Sequence, residues 1–545
     1  MLHIPKDSEK LRAWAREIVD ECMASNQERG MVYGRAHQYY YMGTYDIRAA
    51  IYNKVKNFVD RLSGFLMQPT DVRFNLLYDT TEPEDVLLRA QVCSDKLTAD
   101  YRNTDANVKF AEGVTWSLIN GCQIIKHNPD YSNRGFSIIP VHPQNFGVLS
   151  ETILDIEEQE AVCHISYPTI SRLRSWLDES DFPNPESVIG KVLDVHQTDS
   201  GEQENSYFHQ IIVGGMHQVG YMGERPEAAG IVSVFPVPTP WRPQRRTSRI
   251  QETVKFCELW VRDADRDGDW TTIQFVYPDV LIEGLYTRRN LSKIPGHTPF
   301  VKIEACPTPG YFWGRSVIAD IQMLQDVLNK RLRDIKVMWD RNVAAPQLFS
   351  GFTGLTDETY LKLISEGGYV ADPNPNAKAQ KLVEPPPQGY LEELEFIWKM
   401  FDEASGFSPV LSGQGESGVR SGAHAQTLVR TSSPRLIDQA ARIERQLAES
   451  GYKSFRLMQA MDPSVYTTET GTEFRLEQMP EDFQVQVDSH SASPAFQEDN
   501  RQVAIALARA GAIDAEDLIH MLHPPSAELL LARLKQRQKA QAQAA

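Results

Sequence analysis

The chain has no two cysteines close enough to form a Cys-x-x-Cys metal clasp. Cys22, Cys93, Cys122, Cys163, Cys257 and Cys306 are scattered over its 545 residues. This spacing predicts free, mostly buried thiols in a reducing compartment and excludes a small disulfide scaffold. No apolar run approaches the roughly 18 residues of a membrane-spanning helix, so no membrane partner is expected. The opening stretch, MLHIPKDSEKLRAWAREIVDE, mixes charges of both signs, and a secretory signal is not expected there. The motifs Gly-x-x-x-x-Gly-Lys-[Ser/Thr], His-Glu-x-x-His and Gly-x-Ser-x-Gly are all missing. Their absence leaves a P-loop ATPase, a metalloprotease and a serine hydrolase of the elbow type without support. There is no internal repeat. The one low-complexity stretch is KQRQKAQAQAA at the end, expected to fray. An excess of base is also lacking: 56 Lys and Arg face 73 Asp and Glu, a net charge of −17. Tight duplex binding draws its affinity from neutralised phosphates, so the chain as a whole is no tight DNA binder. It can still surround DNA without gripping it.

What is present is an ordinary globular composition, 41% hydrophobic and 24% charged, long enough for about two or three domains. Leu11, Trp14, Ile18 and Cys22 recur at helical spacing and predict a helix over 8–26. A second runs through Ile51, Val55, Val59, Leu62 and Leu66 and is stopped by Gln68-Pro69. Further helical patterns cover 84–102 and 107–121. IIPVHPQNFGV (138–148) and EAVCHISY (160–167) alternate like strands. Residues 206–302 read mainly as β, with FCELWVRD and WTTIQFVY the strongest runs and VLIEG and TPFVKIEA continuing them. The fold class expected is α+β.

The second half opens on YFWGRSVIADIQMLQDVLNKRL (311–332). An aromatic-Gly lead-in comes first, then Ser316 as N-cap, then a long amphipathic helix to about Arg341. Ile321, Leu324, Leu328, Leu332, Ile335 and Trp339 line one face; Asp326, Lys330, Arg333 and Lys336 line the other. A Pro-rich excursion fills 346–388, with PNPN and PPP. GYLEELEFIWKMFDEASG then gives a second helix, with Leu394, Ile397 and Phe401 on one face. A glycine-rich loop, LSGQGESGVRSGA, follows. A last long helix carries Leu436, Ala440, Ile443, Leu447, Phe455 and Met458, with Pro434 as its kink or its start. FQVQVD reads as a strand, and DNRQVAIALARAG and DAEDLIHMLH as closing helices.

Four motifs invite chemistry. In DADRDGDW, Asp263, Asp265, Asp267, Gly268 and Asp269 match the start of a calcium loop, where three carboxylates converge on a hard cation. The twelfth position is Gln274 in place of the bidentate Glu, and the flanks read as strands, so an acidic hairpin turn is the competing reading. Gly413-x-Gly415-x-x-Gly418 spells a dinucleotide fingerprint, but a helix precedes it where a strand is required, which favours a flexible loop. WRPQRRTSR (241–249) is the densest basic run, suited to phosphates or to an acidic neighbour. The closing helix pair suggests a helix-turn-helix. Its second helix begins acidic, which opposes base readout. His520 and His523 read as surface or packing residues.

The order of these segments, from roughly residue 30 to 530, resembles the portal (head–tail connector) proteins of tailed bacteriophages. The likeness rests on the ordering of segments more than on any one motif. It implies a portal fold with wing, stem, clip and crown regions. The wing would span 1–302, the outgoing stem helix 303–345, the clip 346–388 and the returning stem helix 389–405. The tunnel loop would be 406–422, the long wing helix and strand 423–490, and a short crown 491–545. It implies a homo-oligomeric ring of about twelve subunits at one capsid vertex. Double-stranded DNA would pass through without sequence readout. Terminase large subunit, head–tail adaptor or tail proteins, and major capsid and scaffolding proteins would be the partners. The location would be the virion, and the host cytoplasm during assembly. No catalysis and no cofactor are implied. Gly406, Gly413, Gly415, Gly418 and Gly422 would give the tunnel loop many backbone states. Arg420, Lys330 and Arg333 are the candidate DNA-channel residues. Two other readings stay open: another virion assembly or tail component, and a calcium-binding module using Asp263, Asp265, Asp267 and Asp269. A DNA-modifying enzyme is disfavoured by charge and by the missing motifs.

Overall fold

The computed structural model describes residues 1–41, 52–67, 72–78, 84–130, 135–179, 184–199, 254–276, 280–281, 297–343, 347–353, 374–381, 389–405, 434–468, 471–487 and 504–511, with a few single positions beyond. Helix and sheet are mixed, as an α+β fold requires. Two compact units emerge. The first combines residues 1–43, 55–320 and 406–545; the second combines 44–54 and 321–405.

The first unit opens with α1 (Ser8–Cys22), α2 (Asn26–Tyr41) and α3 (Lys54–Leu66, from Val55 onward in this unit). β1 (Phe74–Leu77), α4 (Glu84–Asn103), α5 (Ala106–Asn120), β2 (Gln123–Asp130) and β3 (Gly135–Val141) follow. A short 3-10 turn over Pro143–Asn145 leads to β4 (Phe146–Val148) and β5 (Ala161–Ser166), and then to α6 (Ile170–Glu179) and α7 (Pro185–Asp199). β6 (Phe256–Arg262), β7 (Trp270–Val276), β8 (Val280–Leu281) and β9 (Phe300–Ile303) complete the central strands.

These strands form two sheets, one ordered β3-β2-β9 and one ordered β4-β5-β6-β7-β8, every neighbouring pair antiparallel. Successive side chains point to opposite faces. Val162 and Trp260 enter the cluster between the sheets, with Ile124, Phe146 and Phe300. Their neighbours Cys163, Leu259 and Val261 pack under α1, with Ile18, Val19 and Cys22. With both faces covered, β6 reads as a near-continuous apolar run, FCELWVR. All six cysteines are free; five are buried and Cys306 is partly so.

Several elements lie beyond the sequence expectations. The interval 27–50 holds α2, 168–205 holds α6 and α7, and β1 and β2 are additional strands. The expected strand over 138–148 is split. His142 caps the 3-10 turn through its ring, accepting from the Gln144 N–H, and divides β3 from β4.

The second unit contains most of α8 (Ile318–Val343), the hairpin of β10 (Gln347–Ser350) and β11 (Lys378–Lys381), and α9 (Tyr390–Ser405). The chain ends, within the first unit, in α10 (Pro434–Met461), the hairpin of β12 (Val465–Thr467) and β13 (Glu473–Arg475), and β14 (Gln484–Val487), which pairs with β1. Pro434 is the start of α10, the place where its missing N–H costs nothing. Gly451 in α10 leaves room for Phe74: a Cβ there would sit 2.7 Å from the ring.

Candidate functional site

α8 and α9 form the centre of the second unit. Ser316 starts α8, its hydroxyl accepting from the Ile318 N–H at 3.2 Å. Asp320 follows in the first turn, where a carboxylate suits the helix dipole, and is held by Arg315 at 2.6 Å and Arg435 at 3.4 Å. The apolar stripe expected on α8 is present. Ile321 and Leu328 are buried, as are Ile397 and Phe401 on α9.

A polar seam fixes register inside the unit. Gln325, with 0% exposure, donates to the Tyr52 carbonyl at 2.8 Å and accepts from the Lys54 N–H at 3.1 Å. The Tyr52 ring stacks on Trp398 at 5.6 Å, and the Lys54 ammonium lies 4.4 Å over the same indole. The Tyr390 hydroxyl donates to the Arg331 carbonyl at 2.5 Å, and the Arg331 guanidinium meets Glu393 at 2.8 Å. α9 therefore begins level with Arg331. The remaining twelve residues of α8, about 18 Å at the helical rise, run beyond that level. Trp339 and Val343 continue the stripe there and are 64% and 76% exposed.

Lys330 and Arg333 both lie on the exposed side of α8. Exposed apolar side chains share that side: Met323, Val327 and Val337. Arg420 and the loop glycines Gly406, Gly413, Gly415, Gly418 and Gly422 lie outside the described residues, as do the basic run 241–249, His520 and His523. The structure thus brings two of the three candidate channel residues onto one helix face.

The acidic run is the turn of the β6–β7 hairpin, closed where Arg262 pairs with Trp270. Asp263 caps a short 3-10 turn and accepts from the Asp265 N–H at 2.9 Å. Asp267 and Gly268 adopt positive φ, 53° and 86°, to reverse the chain. The Asp265 carboxylate faces His3 at 3.3 Å and Lys6 at 3.5 Å. Among the described residues no group of three or more His, Cys, Asp or Glu is placed to hold a metal ion. Also among the described residues, no helix is long and apolar enough to cross a membrane.

Several polar groups of the first unit pair in its interior. The Ser450 hydroxyl lies 2.8 Å from His127 Nε2, the pairing of a nucleophile with a base. Both residues are 0% exposed, so no substrate reaches them. Burial, helped by the nearby Lys453 ammonium, pushes His127 down to about 3. Lys126 pairs with Glu258, which His164 also approaches at 3.3 Å, all enclosed between the sheets. Lys453 reaches Glu157 at 2.6 Å and Glu449 at 3.1 Å. Sequence reasoning missed the His127–Ser450, Lys126–Glu258 and Lys453–Glu157 pairs because the partners are distant along the chain, 323 residues apart for His127 and Ser450. Such groups tie elements together.

No protein-family model matches the chain, and no curated protein matches it.

Proposed function

We propose that this chain is a tailed-phage portal subunit, a protein whose copies close into a ring and let DNA pass. The observation that carries the reading is where the chain leaves apolar surface uncovered. Half of the large apolar side chains exposed by the described residues lie in the second unit, although it is much the smaller. Met323, Val327, Val337, Trp339 and Val343 stand on α8, and Leu391, Phe396 and Met400 on α9. Monomers rarely expose apolar patches of this extent without a partner to cover them. A ring supplies that partner by repeating one heterologous contact until it closes. The order of segments supports the same reading: a long helix, a connecting hairpin, and a returning helix.

DNA conduction agrees with the charge. A net charge of −17 per copy repels phosphates, so no position along a duplex becomes a deep trap. Terminase and adaptor proteins would meet the 346–388 excursion, of which the β10–β11 hairpin is the described part. Hydrolysis of ATP would belong to the terminase partner.

Imaging the purified full chain by electron microscopy, with light scattering for mass, tests the proposal. Rings of about twelve subunits with a central channel are expected. A compact monomer or dimer at every concentration, with scaffolding protein present as well as absent, would refute it.

A further inference from the structure

Three of the six cysteines meet under α1. Cys22 is the last residue of α1, Cys163 lies on β5 and Cys257 on β6, and all three belong to one buried cluster. Gly147 on β4 stands directly opposite Cys163. A Cβ on Gly147 would lie 2.6 Å from the Cys22 carbonyl oxygen and 2.9 Å from Cys163 Sγ. The missing side chain is therefore what lets the end of α1 settle against the Cys163 sulfur. The two thiols also interact directly: a hydrogen bond to Cys22, with burial second, raises the Cys163 thiol well above its ordinary value. Sheet geometry excludes Cys257 as the partner of Cys163. β5 and β6 pair Cys163 with Leu259 and Ile165 with Cys257, so the two cysteines are diagonal neighbours. Such positions stand about 7 Å apart, whereas a disulfide needs its Cβ atoms within about 4.5 Å.

We infer that Cys22 and Cys163 form a thiol-oxidation site, at which a hydroperoxide converts the pair to a disulfide that fastens the end of α1 to β5. One sulfur attacks the peroxide O–O bond and becomes a sulfenic acid, while the other peroxide oxygen leaves as water. The second sulfur then displaces the sulfenic oxygen, which also leaves as water, and the S–S bond forms. Both thiol protons end in the two waters. Each sulfur gives up one electron, and the peroxide takes up two. Access comes from the helix end: Cys22 closes α1, and terminal turns open more readily than helix interiors. The protonated state of Cys163 makes the reaction slow at neutral pH. A cysteine without a thiol neighbour stops at the sulfenic acid, so the contact between Cys22 and Cys163 is what selects this pair. The site lies within one copy of the chain and does not depend on the ring reading.

The test exposes the full-length chain to hydrogen peroxide, blocks the remaining thiols and maps peptides with and without a reductant. A linked peptide joining Cys22 to Cys163, lost on reduction, is expected. The oxidised chain should unfold at a urea midpoint higher by about 0.5–1 M, because the bond closes a loop of roughly 140 residues. Cys22→Ala and Cys163→Ala should each abolish the linked peptide and the midpoint shift, and Cys257→Ala should keep both. Thermal unfolding of each variant confirms that it folds, and the wild-type map decides by itself where one does not. Cys306, the one cysteine that is only partly buried, serves as the internal clock. Absence of the linked peptide once Cys306 is fully oxidised would overturn the site, as would Cys257 taking the place of either partner. A linked peptide with an unchanged midpoint would overturn the fastening of α1.

Discussion

Acidification should destabilise the first unit through its buried imidazoles, and the size of the loss follows from where they sit. His37 and His127 are 4% and 0% exposed. Burial lowers His37 to about 4, opposed by its hydrogen bond to Asn120, and lowers His127 to about 3. In the unfolded chain an imidazole takes its proton near pH 6.5. Between that value and the folded values the unfolded state binds more protons, so stability falls as pH falls through this window. At about pH 5 each ring contributes a loss of about 2 kcal/mol relative to about pH 7.5, roughly 4 kcal/mol for the two. That is a large share of a typical domain stability of about 5–15 kcal/mol. Glu258 adds nothing in this window. Burial raises it, but Lys126 and His164 more than offset that and hold it well below the carboxylate range. Glu304 and Glu449 act in the opposite sense, since burial raises both and acid relieves them. The clean readout is therefore a difference between proteins. His127→Gln keeps a polar partner for Ser450 and removes the titrating ring. Urea unfolding of wild type and variant at about pH 7.5 and about pH 5 should show the variant losing about 2 kcal/mol less over that drop. Equal losses in the two proteins would refute the assignment of His127 as a buried neutral base.

Other outcomes follow from particular contacts. Gly451→Val should cost about 1–3 kcal/mol by forcing a side chain into the Phe74 ring, measured by denaturant midpoint. Lys453→Met should cost about 3–5 kcal/mol, because it leaves Glu157 and Glu449 without their buried cation. Adding Glu157→Gln should return part of that loss. Asp265→Ala should change stability by no more than about 1 kcal/mol, since its pairs with His3 and Lys6 are solvent-exposed. Calcium titration should show no tight stoichiometric binding to wild type. A tight site lost in Asp265→Ala would favour the calcium-module reading.

Local pattern made the amphipathic elements legible. α1, α3, α4, α5, α8 and α9 each bury a stripe recurring at three and four, and β6 and β7 are apolar enough to read as covered strands. β2 and α2 were not legible, and the cause is the same for both. β2 reads QIIKHNPD, and its Lys126 and His127 look like surface residues until Glu258 and Ser450 meet them. α2 buries Arg29 and His37. Arg29 stacks 3.5 Å over Trp313, and His37 reaches Asn120 at 2.8 Å. A polar residue on a buried face breaks the periodic signal, and only its distant partner explains it.

The candidate site divides in the same way. The sequence by itself determined the two stem-like helices, their apolar stripes and the acidic character of the chain, because these are properties of spacing and charge along neighbouring residues. Only the tertiary structure decided that Trp339 and Phe396 remain uncovered while Ile397 and Leu328 are buried. It alone placed Asp265 against Lys6 and sealed the Ser450–His127 pair from solvent. Exposure depends on what arrives from elsewhere in the chain, and helical periodicity carries no information about that arrival.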